Sequence, residues 1–301
     1  MRSLEVVKEQ LMSDLPRLRA ENENVVLKGT QHTIALVGRN LDMIYYRSKY
    51  VNAPLIIYFH GGGFLLGSCW MDNNMLSIVS EELGASIASV GYRRTPEYMW
   101  PDPIIDAYDA AKYLMRNYRE FGFDINHVSL FGCSAGGNIA ASLAIYSSQK
   151  KEYPFKYQIL LYPYLDLFTD SKDKGEGNLN DDIMALFSSL YVKKCDAKIS
   201  TVSPAYVSKE DARFLPETIM CLAGFDSLRA EGNKYGDILE EAGVLVHRCN
   251  IEGAPHGFFE HGLGDRFSNV LADELENTML ENGSLQEAAH KALNFIKLHY
   301  K

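Results

Sequence analysis

Short apolar runs of strand length recur through this chain with stretches of helical length between them, and no other feature restricts its fold so far. The runs are "LIIYFH" (Leu55 to His60), "ASIASVGY" (Ala85 to Tyr92), "VSLFGC" (Val128 to Cys133), "QILLYP" (Gln158 to Pro163), "TIMCLAG" (Thr218 to Gly224) and "VLVHRCNI" (Val244 to Ile251). Near-continuous hydrophobicity means that both faces of each strand are covered. Parallel neighbours need a long crossover, usually a helix, and "DAYDAAKYLMRNY", "GNIAASLAIYSSQ" and "LQEAAHKALNFIKLHY" have the helical character for it. The expected class is α/β, a mostly parallel central sheet flanked by helices on both faces, with its ligand site at the carboxyl ends of the strands.

Before this alternation begins, "HTIALV" and "LDMIYYR" flank a turn at Gly38 to Asn40 and predict an antiparallel hairpin. Leu4, Val7, Leu11, Leu15 and Leu18 recur at helical spacing, so the first segment is expected to be an amphipathic helix, either a lid or a plain core helix. The polar stretch Thr169 to Asp182 interrupts the later alternation and leads into the apolar "IMALFSSLYV". Such an excursion over the strand ends is expected to cap the site, a solvated loop with a covering helix being the plainer reading. No repeat or low-complexity linker divides the 301 residues, so one domain, 1–301, is expected, with cap elements from 1–30 and 166–205.

Apolar residues make up 47% of the chain and charged residues 23%, which suits a packed core and not disorder. A net charge of −9 repels nucleic acid and anionic membrane as main partners. The opening "MRSLEVVKEQLMSDLPRLRA" carries charge every few residues, and no later run reaches the length of a membrane span. A cytoplasmic location is the expectation. The five cysteines are scattered without metal-ligand spacing, so neither a metal nor a cofactor is expected.

Three strand ends carry residues that packing alone does not call for. At the first of these in chemical importance, Gly132, Ser134 and Gly136 spell G-x-S-x-G between a strand and helix-forming residues. So sharp a turn lifts the serine hydroxyl off the end of the sheet and aims the N–H of Ala135 toward an oxyanion beside it. "HGGGF", His60 to Phe64, follows another strand, and Gly61 and Gly62 are the expected further oxyanion donors. A serine hydroxyl needs an imidazole to take its proton and a carboxylate to orient that imidazole. Of eight histidines, His256 lies on a glycine-flanked loop after the last strand, with His261 as the fallback. Asp226 follows the strand Thr218 to Gly224, with Asp166 as its competitor. The order along the chain is serine, acid, histidine.

Five blocks in order, "HGGGF", "YRRTPEYMWPDPIIDA", "GCSAGGNIA", "GFDSLRAEG" and "HGF", make the chain resemble the α/β-hydrolase fold and, within it, the hormone-sensitive-lipase-like carboxylesterases. The resemblance implies a catalytic triad of Ser134, Asp226 and His256, an oxyanion hole of Gly61, Gly62 and Ala135, and structural roles for Glu97 and Asn138. It implies a small-molecule ester substrate of acetyl to butyryl length and no cofactor. An amidase or formamidase using the same triad, and a non-catalytic ligand receptor, are the competing readings. Phe64, Leu65, Trp100, Phe187, Phe225 and Phe258 are the expected aromatic and apolar lining. The chain departs from the family pattern at Cys133, where an acidic residue or threonine is usual, at "YRRTPE", and at Ser227, where proline is common. Cys133 is read as a small buried residue beneath the elbow, with oxidation or alkylation as a switch the alternative. The segment "GLGDRFSNVLADELENTMLENGS" exceeds the family length and reads as a surface helix, a lid element or a homo-oligomer contact.

Overall fold

The computed structural model of the chain describes residues 4–21, 26–265 and 284–301. Eight strands form one sheet in the order β1-β2-β4-β3-β5-β6-β7-β8. They are β1 (Thr30–Leu36), β2 (Arg39–Tyr46), β3 (Ala53–Phe59), β4 (Ser86–Val90), β5 (Phe123–Cys133), β6 (Tyr157–Leu161), β7 (Glu217–Phe225) and β8 (Val246–Pro255). The β1–β2 and β2–β4 pairs are antiparallel and all the others parallel. The helices are α1 (Leu4–Glu21), α2 (Asn73–Leu83), α3 (Asp102–Arg116), α4 (Tyr118–Phe121), α5 (Ala135–Lys150), α6 (Asp181–Tyr191), α7 (Lys209–Ala212), α8 (Arg229–Glu241), α9 (Phe258–Gly262) and α10 (Leu285–His299). Most of the segment 262–284, which was expected to form a helix, lid or contact, lies outside the described residues. Among the described residues no helix is long and apolar enough to cross a membrane.

The two-residue period of the strands divides the core in two. Leu55, Ile57 and Phe59 of β3 join Leu130, Leu160 and Leu222 beneath α3, α5 and α8. Ile56 and Tyr58 join Phe131, Ile159 and Ile219 beneath α2, α9 and α10. The hairpin forms as expected, but its turn is Val37 and Gly38, with Arg39 already paired to Leu36. Gly38 at φ 78° carries the chain around in two residues, which draws Arg39 and Asn40 into the strand. β5 and β8 also run past the apolar runs that marked them, because pairing resumes beyond an irregular stretch, at Phe123 with Ala53 and at Pro255 with Phe225.

β5 ends at Cys133 and α5 begins at Ala135, leaving Ser134 as the whole connection. So short a link presses the helix against the sheet: a Cβ on Gly136 would stand 1.9 Å from the Phe59 carbonyl oxygen, and one on Gly132 would stand 2.1 Å from the Gly136 oxygen. Both neighbours are backbone and neither can rotate away. Gly136→Ala is therefore expected to destabilise the fold by about 3 kcal/mol or more, the upper end of overpacking costs. Urea unfolding monitored by fluorescence measures this, and an unchanged midpoint would contradict the close approach.

Candidate active site

Ser134 sits at φ 55° and ψ −121°, backbone a non-glycine residue adopts only where its surroundings force it. Its N–H donates to the Leu161 carbonyl at 3.0 Å, and its own carbonyl accepts from Tyr164 N–H at 3.0 Å and Asn138 N–H at 3.2 Å. Those bonds fix the peptide planes, and the side chain is left facing His256. His256 Nε2 lies 2.8 Å from Ser134 Oγ, and His256 Nδ1 lies 2.8 Å from Asp226 Oδ2. The other oxygen of Asp226 accepts the Leu228 N–H at 2.9 Å. All three side chains are buried. Asp226 is placed by the loop between β7 and α8, and His256 by the turn that follows β8, where Gly257 at φ 82° reverses the chain.

Burial disfavours a charge on His256, but the charge and hydrogen bond of Asp226 offset it, helped by Glu260 and Glu231, and the imidazole pKa ends above its ordinary value. An imidazole with Nδ1 held by a carboxylate and Nε2 on a hydroxyl can take the proton of that hydroxyl and keep it while a covalent bond forms.

A cavity of about 20 Å³ opens beside Ser134 and His256, with Gly62, Gly63, Tyr164, Ile183, Phe187 and Leu228 in its wall. Gly63 at φ 61° carries no side chain, and a Cβ there would meet the Phe187 ring at 2.2 Å. α6 thus lies directly over the glycine loop. Its last residue is held by Phe64, stacked on Tyr191 at 3.8 Å, and by the Trp100 amide, which donates to the Tyr191 carbonyl at 2.8 Å. α1 contacts α6, and Arg19 pins it to the loop of "YRRTPE" through Glu97, the Thr95 carbonyl and the Leu65 carbonyl. A larger hollow of about 800 Å³ lies on the far face of α6, lined among others by Asp170, Lys172, Asp182 and Ser189, and does not reach Ser134.

The expected Ser134, Asp226 and His256 come together, and Ala135 begins α5 beside them. Of the expected Gly61 and Gly62, the cavity wall holds Gly62, together with Gly63. Gly61 is turned to accept at its carbonyl from His60 Nδ1 at 2.8 Å. Asp166, the competing acid, is a loop cap that accepts from the Phe168 and Thr169 amides and the Thr169 and Tyr206 hydroxyls. His261, the fallback base, lies one turn further along, in α9. Of the six expected lining residues only Phe187 reaches the cavity. Phe64, Leu65 and Phe258 are core, and Phe225 is 42% exposed. Asn138 is structural, donating to the Tyr164 and Val202 carbonyls. Glu97 is so too, through Arg19. Cys133 is fully buried, and burial with the nearby Glu260 and Asp72 pushes its thiol well above the usual range.

Two supports went unread. Asn178 accepts the His256 N–H at 2.7 Å, and Gly177 lies so close to Ser227 that a Cβ there would stand 2.2 Å from the Ser227 nitrogen. Nothing in the polar run "GEGNLN" signals this. The run is held in place by Lys174, whose ammonium is buried against Glu231 and the Asp166 carbonyl. Glu231 accepts in turn from the Leu165 amide at 2.6 Å. Burial pushes the Glu231 carboxyl up to about 7 although Lys174 opposes the shift. Glu231 falls within the block "GFDSLRAEG", so that signal was available.

The alpha/beta hydrolase fold family matches residues 56–260. Esterase LipI of Mycobacterium tuberculosis is 33% identical over 213 residues, which are 68% of this chain and 66% of that protein, so the chain spans about two thirds of its length. Carboxylesterase NlhH of the same organism is 31% identical over 79% of this chain and 75% of its own. Among solved structures, a hyperthermophilic esterase from the archaeon Pyrobaculum calidifontis superposes with a TM-score of 0.76 at 30% identity, covering 100% of this chain and 95% of that one.

Removing one member of a buried ion pair strands the other. Lys174→Met is expected to cost about 3–5 kcal/mol of stability. The stranded Glu231 has a folded pKa above its unfolded one, so it destabilises more as pH rises between the two, and the loss is expected to be greater at about pH 8 than at about pH 6. Denaturant titrations of both proteins at the two pH values check sign and size.

Proposed function

Because the chain belongs to the alpha/beta hydrolase fold family, we propose that it hydrolyses short-chain carboxylic esters, with Ser134 as nucleophile, His256 as general base and acid, and Asp226 as the group that orients His256. The observation that carries this reading is the pair of 2.8 Å contacts that join the three side chains in one line. His256 removes the Ser134 proton as Oγ attacks the ester carbonyl, and Asp226 stabilises the imidazolium. The carbonyl oxygen becomes an oxyanion facing the N–H groups of Gly62, Gly63 and Ala135. Ala135 is the first residue of α5, so its N–H has no partner within the helix and the helix end favours negative charge. Preorganised donors of this kind commonly contribute the largest share of acyl-transfer catalysis. His256 then gives its proton to the departing alcohol. Water, deprotonated by the same imidazole, cleaves the acyl-serine and restores Ser134.

The smallness of the cavity favours short acyl groups, acetyl to butyryl, over long ones. Its 20 Å³ is about the room of one water molecule, so even an acetyl group enters only as Phe187, Ile183 and their helix yield. α1 and α6, with the Lys174 segment between β6 and α6, make up the cap. Each added methylene of the acyl chain displaces more of the α6 side chains, and turnover of p-nitrophenyl esters is expected to fall beyond butyryl.

Ser134→Ala is expected to lower kcat by about 10⁴-fold or more and to abolish labelling by a fluorophosphonate. Turnover that survives the substitution would sink the proposal. The base works only when His256 is neutral. Since its pKa lies above the ordinary value, kcat/KM is expected to rise with pH along a limb centred above about 6.5. A pH–rate profile on p-nitrophenyl acetate tests this, and a limb well below that value would contradict the arrangement of charges.

A further inference from the structure

We propose that Glu260, acting through Tyr162, is a positioning residue for His256. The proposal rests on the triad reading above. Glu260 lies four residues past His256 and is fully buried. The Tyr162 hydroxyl donates to its Oε2, and the Tyr162 ring stands edge-on to the His256 ring at 4.9 Å and 61°. The link therefore runs from carboxylate to phenol to imidazole. On the other side, the buried Cys133, the residue before Ser134, is near enough to the same carboxyl for each to influence the other's ionisation. The residue before the nucleophile and the helix after the base thus meet at one buried acid.

Tyr162 is held at φ 35°, left-handed backbone for a bulky residue, with its N–H on the Cys221 carbonyl at 2.8 Å. Such a conformation costs on the order of 1–3 kcal/mol. A purely space-filling aromatic would not need it, but a ring required to face His256 while its hydroxyl reaches Glu260 does. Among the described residues Glu260 Oε1 has no hydrogen-bond partner, so the Tyr162 hydroxyl is the side-chain donor that holds this carboxyl.

Two buried carboxyls share this region. Asp72 accepts from the Tyr58 hydroxyl at 2.6 Å, and burial with the charges of Glu260 and Asp265 pushes its carboxyl well above the usual range. Burial raises Glu260 too, but Tyr162, its own amide, His256 and Cys133 all favour its ionised form. Both carboxyls end above their ordinary values, Asp72 the further, so Glu260 is the more readily ionised of the two. The charged and titratable groups facing His256 are then Asp226, Glu231 and Glu260, with Tyr162 in ring contact. Glu260 is a second negative charge for the imidazolium that forms when His256 takes the Ser134 proton.

The test is the pH dependence of kcat and kcat/KM on p-nitrophenyl acetate for the unsubstituted chain, Glu260→Gln, Tyr162→Phe and Glu260→Asp. Removing the charge is expected to move the acidic limb toward lower pH by about one pH unit and to lower kcat with KM nearly unchanged. Tyr162→Phe keeps the ring and moves the limb in the same direction, because Glu260 loses a donor that favours its charge. Glu260→Asp restores part of the original profile. Thermal midpoints recorded alongside identify folded variants, and Tyr162→Phe decides alone if Glu260→Gln does not fold. A folded Glu260→Gln or Tyr162→Phe with the original limb and kcat overturns the proposal while the triad stands. Absence of fluorophosphonate labelling in the unsubstituted chain removes the triad and this role with it.

Discussion

A single residue joins β5 to α5, and the site is organised around what that requires. Ser134 can hold φ 55° only because the Leu161 carbonyl, the Tyr164 amide and the Asn138 amide bond its peptide groups, and because glycines at 132 and 136 let the helix start come down onto β3 and β5. The strain, of order 1–3 kcal/mol, is balanced by bonds made to three neighbouring segments. In return the helix end and the serine side chain reach the same point in space. The glycine loop after β3 is near for the same reason: the close contact with the Phe59 carbonyl that excludes a Cβ at Gly136 sets the distance between α5 and that loop.

Charge inside the molecule is arranged in pairs that differ in kind. Lys174 and Glu231 neutralise one another, and their pairing fixes the segment carrying Gly177 and Asn178 against Asp226 and His256. Such a pair contributes little net stability compared with an apolar replacement, since desolvation consumes most of the attraction. What it supplies is placement. Asp72 and Glu260 are both buried and each carboxyl is raised by burial, Asp72 further than Glu260, which the Tyr162 hydroxyl and His256 pull back toward ionisation.

Much of the fold was legible because a strand buried on both faces has to be apolar along its length, as Leu55–Phe59 and Ile159–Leu161 are. Where pairing resumed beyond an irregular stretch, at Phe123 or Pro255, the pattern gave no sign. The meeting of Ser134, Asp226 and His256 was legible because chemistry restricts residue type and the sheet restricts place: each had to follow a strand. The choice among three adjacent glycines was not, because it depends on which amide a loop turns inward, and glycine leaves that open. Asn178 and Lys174 were hidden for a related reason. Their partners, His256 and Glu231, lie far along the chain, and no spacing rule links a polar loop to a distant backbone amide. Phe225 and Phe258 show the converse error, since aromaticity marks a residue worth burying and does not say against what.

The contact between Gly63 and Phe187 has a bearing on how such a site changes over time. A Cβ at position 63 would occupy the space of the Phe187 ring, so a side chain at the first position is compatible only with a smaller one at the second. The left-handed backbone at Gly63 narrows the choice further. The constraint runs one way: a side chain at 63 is blocked until 187 has become smaller, and a lineage that enlarges the cavity by shortening residue 187 also releases the constraint on the glycine loop. The wall of the cavity and the shape of the glycine loop are inherited together, through the contact of Gly63 with Phe187.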